Sequence, residues 1–189
     1  MKGIKNIRRK GGLTVLLLFL TIILFIAAIH DIEFHKIPNW LTYPTMMIGI
    51  VGHTWTNGLE GLLFSVSGVG VGVAVLIIPY LLGGMGAGDT KLMGAVGSLL
   101  GPKEVFGAFI FTGLIGGIYA LVILARYGNL KSTFKRYGTI LKTFVLTQTM
   151  IYIPPSQKET KPRLCYGVAI AVGTLLSVFT ESLLKVSLI

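Results

Sequence analysis

Asp31 and Asp89 are the only two aspartates in the chain, and both stand next to long apolar runs. Asp89 closes a glycine-rich stretch, Gly83-Gly84-Met85-Gly86-Ala87-Gly88-Asp89-Thr90-Lys91. A carboxylate at or near membrane depth loses hydration unless it is paired, protonated or facing a wet cavity, so each is a candidate functional group. Two carboxylates held about 3 Å apart cannot both ionise cheaply and share one proton, as in pepsin, where one carboxyl of the pair loses its proton far more readily than the other. The ionised member takes a proton from water while the protonated member polarises a peptide carbonyl, so water attacks with no covalent enzyme intermediate. Gly86 and Gly88 would let the backbone of an extended substrate come close. Spacing alone leaves the plainer readings open: Asp89 as a helix N-cap and Asp31 as a solvated helix end. Glu33 and Lys36 read as solvated loop charges.

The elements that must carry these groups belong to a membrane protein. The chain has 189 residues, 53% hydrophobic and only 13% charged, with a mean hydropathy of +0.79, against about a quarter charged in soluble proteins. The net charge of +10 comes from two juxtamembrane basic blocks, not from a basic domain with interleaved aromatics. Contact with anionic lipid headgroups is therefore expected, and nucleic acid is not. Cys165 is the single cysteine, which excludes an internal disulfide and a cysteine-based zinc site. His30, His35 and His53 are too few and too irregular for a metal site, so neither metal nor cofactor is expected.

Hydropathy divides the chain into six spans at about 13–29, 37–55, 61–82, 83–101, 105–125 and 164–180. The basic residues Lys2, Lys5, Arg8, Arg9 and Lys10 precede the first run, a pattern shared with secretory signals. Lys10-Gly11-Gly12-Leu13-Thr14 also resembles the cleavage region of type IV prepilins, although Leu17 replaces their usual glutamate. A retained first span is the expectation. A polar hairpin from His30 to Trp40 follows, with Pro38 suited to a helix start. The third span carries Gly68, Gly70 and Gly72, small residues that predict close packing inside the bundle. The ten apolar residues from Leu92 to Gly101 cannot cross a core about 30 Å thick. The fourth helix is therefore expected to start before Asp89 and to leave it near the membrane surface. Within the basic loop 126–163, Leu130, Phe134, Tyr137, Leu141 and Phe144 recur at helical spacing, which predicts an amphipathic helix on the membrane face. The reading is an all-α membrane protein, a six-transmembrane-helix bundle forming one domain over residues 1–189.

Two spans separate Asp31 from Asp89, so the chain crosses and returns, and both carboxylates meet the same face. The 126–163 loop shares that face. Ten basic residues fall there against seven opposite, and the positive-inside rule then puts the loop and both aspartates at the cytoplasmic side.

These residues also carry a resemblance. Gly86-Ala87-Gly88-Asp89 matches the GxGD motif of intramembrane aspartyl proteases, and with Thr90-Lys91-Leu92 it is similar to the GxGDxKL form of the type IV prepilin leader peptidases. Asp31, six residues before Ile37-Pro38-Asn39, resembles that family's first aspartate and the IPN element after it. Tyr166-Gly167-Val168-Ala169-Ile170-Ala171 resembles its closing motif. Presenilin-like proteases share GxGD, but their first aspartate follows a tyrosine, and here His30 stands in that place.

The resemblance implies that Asp31 and Asp89 are catalytic and that the cleaved bond follows a glycine at the cytoplasmic face. The implied partner is a prepilin-like or pseudopilin precursor with a short basic leader. Gly86 and Gly88 would lie near the substrate backbone, and Lys91 would tune the pair, hold the leader or snorkel to headgroups. Larger members add a cysteine-bearing domain and methylate the new N-terminus; the cysteine set is missing here, so methyl transfer is not expected. The compact form looks like the peptidases of tight-adherence pili or archaeal preflagellins. A small transporter or proton pathway using the same carboxylates is the alternative from a different class.

Overall fold

The computed structural model describes residues 2–82, 84–126 and 164–187. Five helices make up the regular structure of these residues: α1 (Lys2–Phe34), α2 (Asn39–Leu81), α3 (Ala87–Leu100), α4 (Pro102–Arg126) and α5 (Tyr166–Ser187). The stretches Val15–Phe34, Asn39–Leu81, Pro102–Ile123 and Tyr166–Leu183 are long and apolar enough to cross a membrane. The chain is a multi-pass membrane protein. It divides into two compact units, residues 1–116 with 165–189, and residues 117–164. Of the second unit, the end of α4 and Leu164 are described. The amphipathic helix expected in 126–163 lies outside the described residues, apart from Arg126.

The expected and observed boundaries differ in ways the backbone explains. α1 continues past residue 29 and takes Asp31 into its last turn, ending only where His35 adopts φ 52°. The His35 N–H donates to the Asp31 carbonyl at 2.9 Å and closes that turn. Pro38, at φ −74° and ψ 144°, is too extended to continue a helix and sets the start of α2.

As one straight rod, the 43 residues of α2 would run about 65 Å, twice the hydrocarbon core. Gly58 breaks the rod at φ 61° and ψ −135°, a conformation that favours glycine. The Ser65 hydroxyl donates to the Gly49 carbonyl at 3.1 Å, whereas sixteen residues of continuous helix would hold them about 24 Å apart. The chain therefore turns back at Gly58, and the loop expected at 53–60 reduces to that reversal. α4 begins at Pro102 rather than 105, because a proline in the first turn sacrifices no hydrogen bond.

The most enclosed element is α3. All its residues from Leu92 to Leu99 are buried, as are Asp89 and Thr90. It has 14 residues, about 21 Å, and starts at Ala87 rather than at 83. Its neighbour is the second limb of α2, which buries Gly61, Ser65, Gly68 and Gly72 along one stripe. Gly68 meets the backbone of Gly97, and Gly72 meets that of Met93, too closely for any side chain at either position. The Ser65 hydroxyl also reaches the Ser98 carbonyl, at 2.7 Å. Gly68 and Gly72 pack closely, as expected, whereas Gly70 is exposed with no atom near it, so one stripe of this limb and not the whole span is internal. On the other side α1 packs against α5, with Leu20, Leu24, Ala27, Ile170 and Ala171 in the shared core.

Candidate active site

Asp31 continues the buried stripe of α1. Leu20, Leu24, Ala27 and Asp31 recur at helical spacing, and all four are buried. The stripe therefore carries a carboxylate into the interface with α5, where Asp31 is only 5% exposed. There its Oδ2 accepts the Gly167 N–H at 2.7 Å. Gly167 is the second residue of α5, so this N–H has no partner within its own helix, and the helix dipole favours an anion beside it. A methyl group on Gly167 would stand 2.9 Å from Asp31 Oδ2 and 3.1 Å from its Cγ. The approach requires glycine.

Asp89 occupies the third position of α3 and is 7% exposed. Its Oδ2 accepts the Gly86 N–H at 2.9 Å, while its own N–H donates to the Gly86 carbonyl at 3.1 Å. Each aspartate is thus buried at a helix N-terminus and held by a glycine N–H: Asp89 on its own helix, Asp31 on α5. Asp31 lies near enough for its charge to act on Asp89. Asp31 is not the solvated helix end of the plainer reading; the N-cap is Gly86, not Asp89, but the Asp89 carboxylate does cap the start of α3 by accepting the Gly86 N–H.

The other motif residues lock the start of α3 to the start of α2. A Cβ on Gly88 would lie 3.0 Å from the Ile37 Cβ and 3.2 Å from the Ile37 N and O, so the close approach at Gly88 is to the chain itself. Lys91 Nζ donates to Asn39 Oδ1 at 2.9 Å and stands 5.2 Å from the centroid of the Tyr43 ring. Gly86 presents its N–H to Asp89 and lies on the exposed side of the turn. The structure therefore joins Asp89 to Gly86 and Asp31 to Gly167, and brings Gly88 against Ile37 and Lys91 against Asn39. His30 Nδ1 donates to the Lys36 carbonyl at 2.8 Å, and His35 Nδ1 lies 3.3 Å from Cys165 Sγ. Among the described residues no group of three His, Cys, Asp or Glu is placed to hold a metal.

The sequence reading quoted Gly167 and Asn39 within motifs without assigning them to the site. Gly167 acts through its backbone, which leaves no side-chain signature. Asn39 carried a signal, since it stands at the first turn of α2 next to a fixed proline.

Residues 18–121 match the type IV leader peptidase family. The chain is 33% identical over 109 residues to a prepilin leader peptidase/N-methyltransferase of Bacillus subtilis (strain 168), a stretch covering 55% of this chain and 43% of that protein. It is 30% identical over 126 residues to a protein of the same description from Xanthomonas campestris pv. campestris, covering 62% of this chain and 44% of the relative. The matched stretch thus spans less than half the length of these relatives. No solved structure matches the chain. With more than half of its length matched, a stretch that runs from α1 into α4 and includes both aspartates, this chain belongs to the type IV leader peptidase family.

Proposed function

We propose that the protein is a membrane-embedded aspartyl endopeptidase that removes the short basic leader of a type IV prepilin-like or pseudopilin precursor, after a glycine, at the cytoplasmic face of the membrane. The observation that carries this reading is the matched setting of Asp31 and Asp89: both buried, and each accepting a glycine N–H. The reading takes α1, the two limbs of α2, the short α3, α4 and α5 as its six helical elements, a topology in which both aspartates would open to one side. The reading extends to the peptidase part of the relatives' description and not to methyl transfer.

In this mechanism the pair holds one proton. The ionised carboxylate accepts a proton from water as its oxygen bonds to the scissile carbonyl carbon, and the protonated carboxyl donates to the carbonyl oxygen. Collapse of the tetrahedral intermediate breaks the C–N bond, and the proton taken from water passes to the departing amine. The glycine N–H groups hold one oxygen of each carboxylate in place, so the charge that forms and moves is met by dipoles already oriented. Because both protonation states are needed together, the rate falls at low and at high pH.

Co-expression with a prepilin-like precursor tests the reading. Asp31→Asn and Asp89→Asn should each lower leader removal by at least about a thousandfold while membrane insertion is unchanged. Full processing by either variant would overturn the pairing. Proton flux into liposomes, lost in the same variants with no peptide cleaved by the wild type, would replace the peptidase with a transporter.

A further inference from the structure

Lys91 is the cation nearest in sequence to Asp89, and its surroundings do not suit a group that waits for substrate. Its ammonium is directed to α2, where it bonds the Asn39 side chain and stands over the Tyr43 ring. Lysine has only donors, so the bonded atom of Asn39 must be the amide oxygen. Asn39 and Tyr43 lie one turn apart on one face of α2 and present an acceptor and a π-face together. Among the described residues no carboxylate forms an ion pair with Lys91. A free ammonium would also repel the basic leader that the proposed substrate carries.

The geometry of α3 gives this contact a purpose. Gly88 and Lys91 are three residues apart and share the face of α3 that meets the start of α2, whereas Asp89 lies about 100° further round. The Gly88 contact with Ile37 sets how closely the two helix starts approach. A hydrogen bond is directional, so the Lys91 bond to Asn39 sets how α3 is rotated about its axis. Rotation matters at Asp89: a turn of about 20° moves a carboxylate carried about 6 Å from the helix axis by about 2 Å. Pro38 holds the other end firm by fixing the backbone between Ile37 and Asn39.

We propose that Lys91 and Asn39 form a latch between α3 and α2 that positions Asp89 against Asp31, so that Lys91 is a positioning residue acting through Asn39 and not a substrate contact. This rests on the reading of Asp31 and Asp89 as the catalytic pair.

The test is steady-state cleavage of a purified prepilin-like precursor by full-length enzyme in liposomes, with rates normalised to inserted protein. Lys91→Met and Asn39→Ala should each lower kcat by about tenfold to a hundredfold and leave KM within about twofold, because a shift of about 1 Å at a reacting group costs that much. The double variant should be no slower than the worse single variant, since both remove one bond. Lys91→Arg and Asn39→Asp keep a donor facing an acceptor and should recover most of kcat. A raised KM at unchanged kcat would overturn the latch and make Lys91 a substrate contact. Additive losses in the double variant, wild-type kinetics in Lys91→Met, or failure of Lys91→Met and Asn39→Ala to accumulate would overturn it too. Asp31→Asn and Asp89→Asn, assayed alongside, separate the two readings: their full activity removes the catalytic pair, whereas their inactivity with unaltered Lys91→Met removes the latch alone.

Discussion

Gly167 holds Asp31 through a backbone N–H, so no side-chain deletion can remove the contact, but an added side chain can displace it. Gly167→Ala would put a methyl 2.9 Å from the carboxylate oxygen and force α1 and α5 apart locally. The expected result is a fall in kcat of about a hundredfold with normal membrane insertion, read in the same cleavage assay. Gly86 separates the donor from the glycine. Its backbone, at φ −83° and ψ 153°, suits any residue, and a methyl there would stand 3.3 Å from Asp89 Oδ2. Gly86→Ala should therefore keep activity within about threefold, while Gly86→Pro, which removes the N–H that Asp89 accepts, should lower it at least about tenfold. Equal activity in the alanine and proline variants would show that the Gly86 bond does not matter. Both aspartates were legible because they are the only two and both adjoin apolar runs. Their glycine partners were legible only as motif positions, because backbone donors look alike in every sequence.

At the scale of elements, α3 is held by two kinds of contact with the second limb of α2, and they should fail differently. Ser65 donates to the Gly49 and Ser98 carbonyls and so joins both limbs of α2 to α3. Hydrogen bonds between membrane helices are modest, so Ser65→Ala should cost about 0.6–2 kcal/mol of stability and leave cleavage near normal. Gly97 and Gly68 meet backbone to backbone, where no side chain fits. Gly97→Val must separate the helices, and it should abolish both accumulation and cleavage; heat-induced loss of the folded protein in detergent reads Ser65→Ala, and the amount of protein in the membrane reads Gly97→Val. Gly68 and Gly72 made this packing legible, while Gly70, read with them, faces outward because two residues along a helix turn about 200°. The residue at which the chain reverses was not, because a single glycine at positive φ can end a helix with no polar loop, and the polar composition of 53–60 suggested something longer. The early expected start of α3 had a related cause: hydropathy measures how much chain a membrane could hold, whereas the helix begins where Gly86 can cap it.

At the scale of the whole molecule, the catalytic reading depends on which side the aspartates face, and the basic residues divide unevenly between the sides. Asp31 lies at the end of α1 and Asp89 at the start of α3, and the intervening α2 goes out and returns through Gly58. That return brings the two aspartates to the same end of the helices whatever the absolute orientation, so orientation must come from the loop charges. The 126–163 segment holds eight of the 17 basic residues, and α4 carries the chain towards it from Pro102, on the far side of α3 from Asp89. An excess of Lys and Arg retains a loop in the cytoplasm, and a leader made in the cytoplasm meets a cytoplasmic site without crossing the membrane. A reporter fused after Gly128 should therefore report the cytoplasm. On the opposite side, Asn57 is exposed beside the Gly58 reversal. In a Cys165→Ser background, Asn57→Cys should react with a membrane-impermeant maleimide added to intact cells. Cytoplasmic activity at Gly128 together with labelling at Asn57 fits the cytoplasmic site. The inverse pattern would place both aspartates and the basic 126–163 loop outside and keep the N-terminal basic block in the cytoplasm; two signals on one side would remove the crossings that return the chain between Asn57 and Gly128, and with them the route by which Asp31 and Asp89 reach one face.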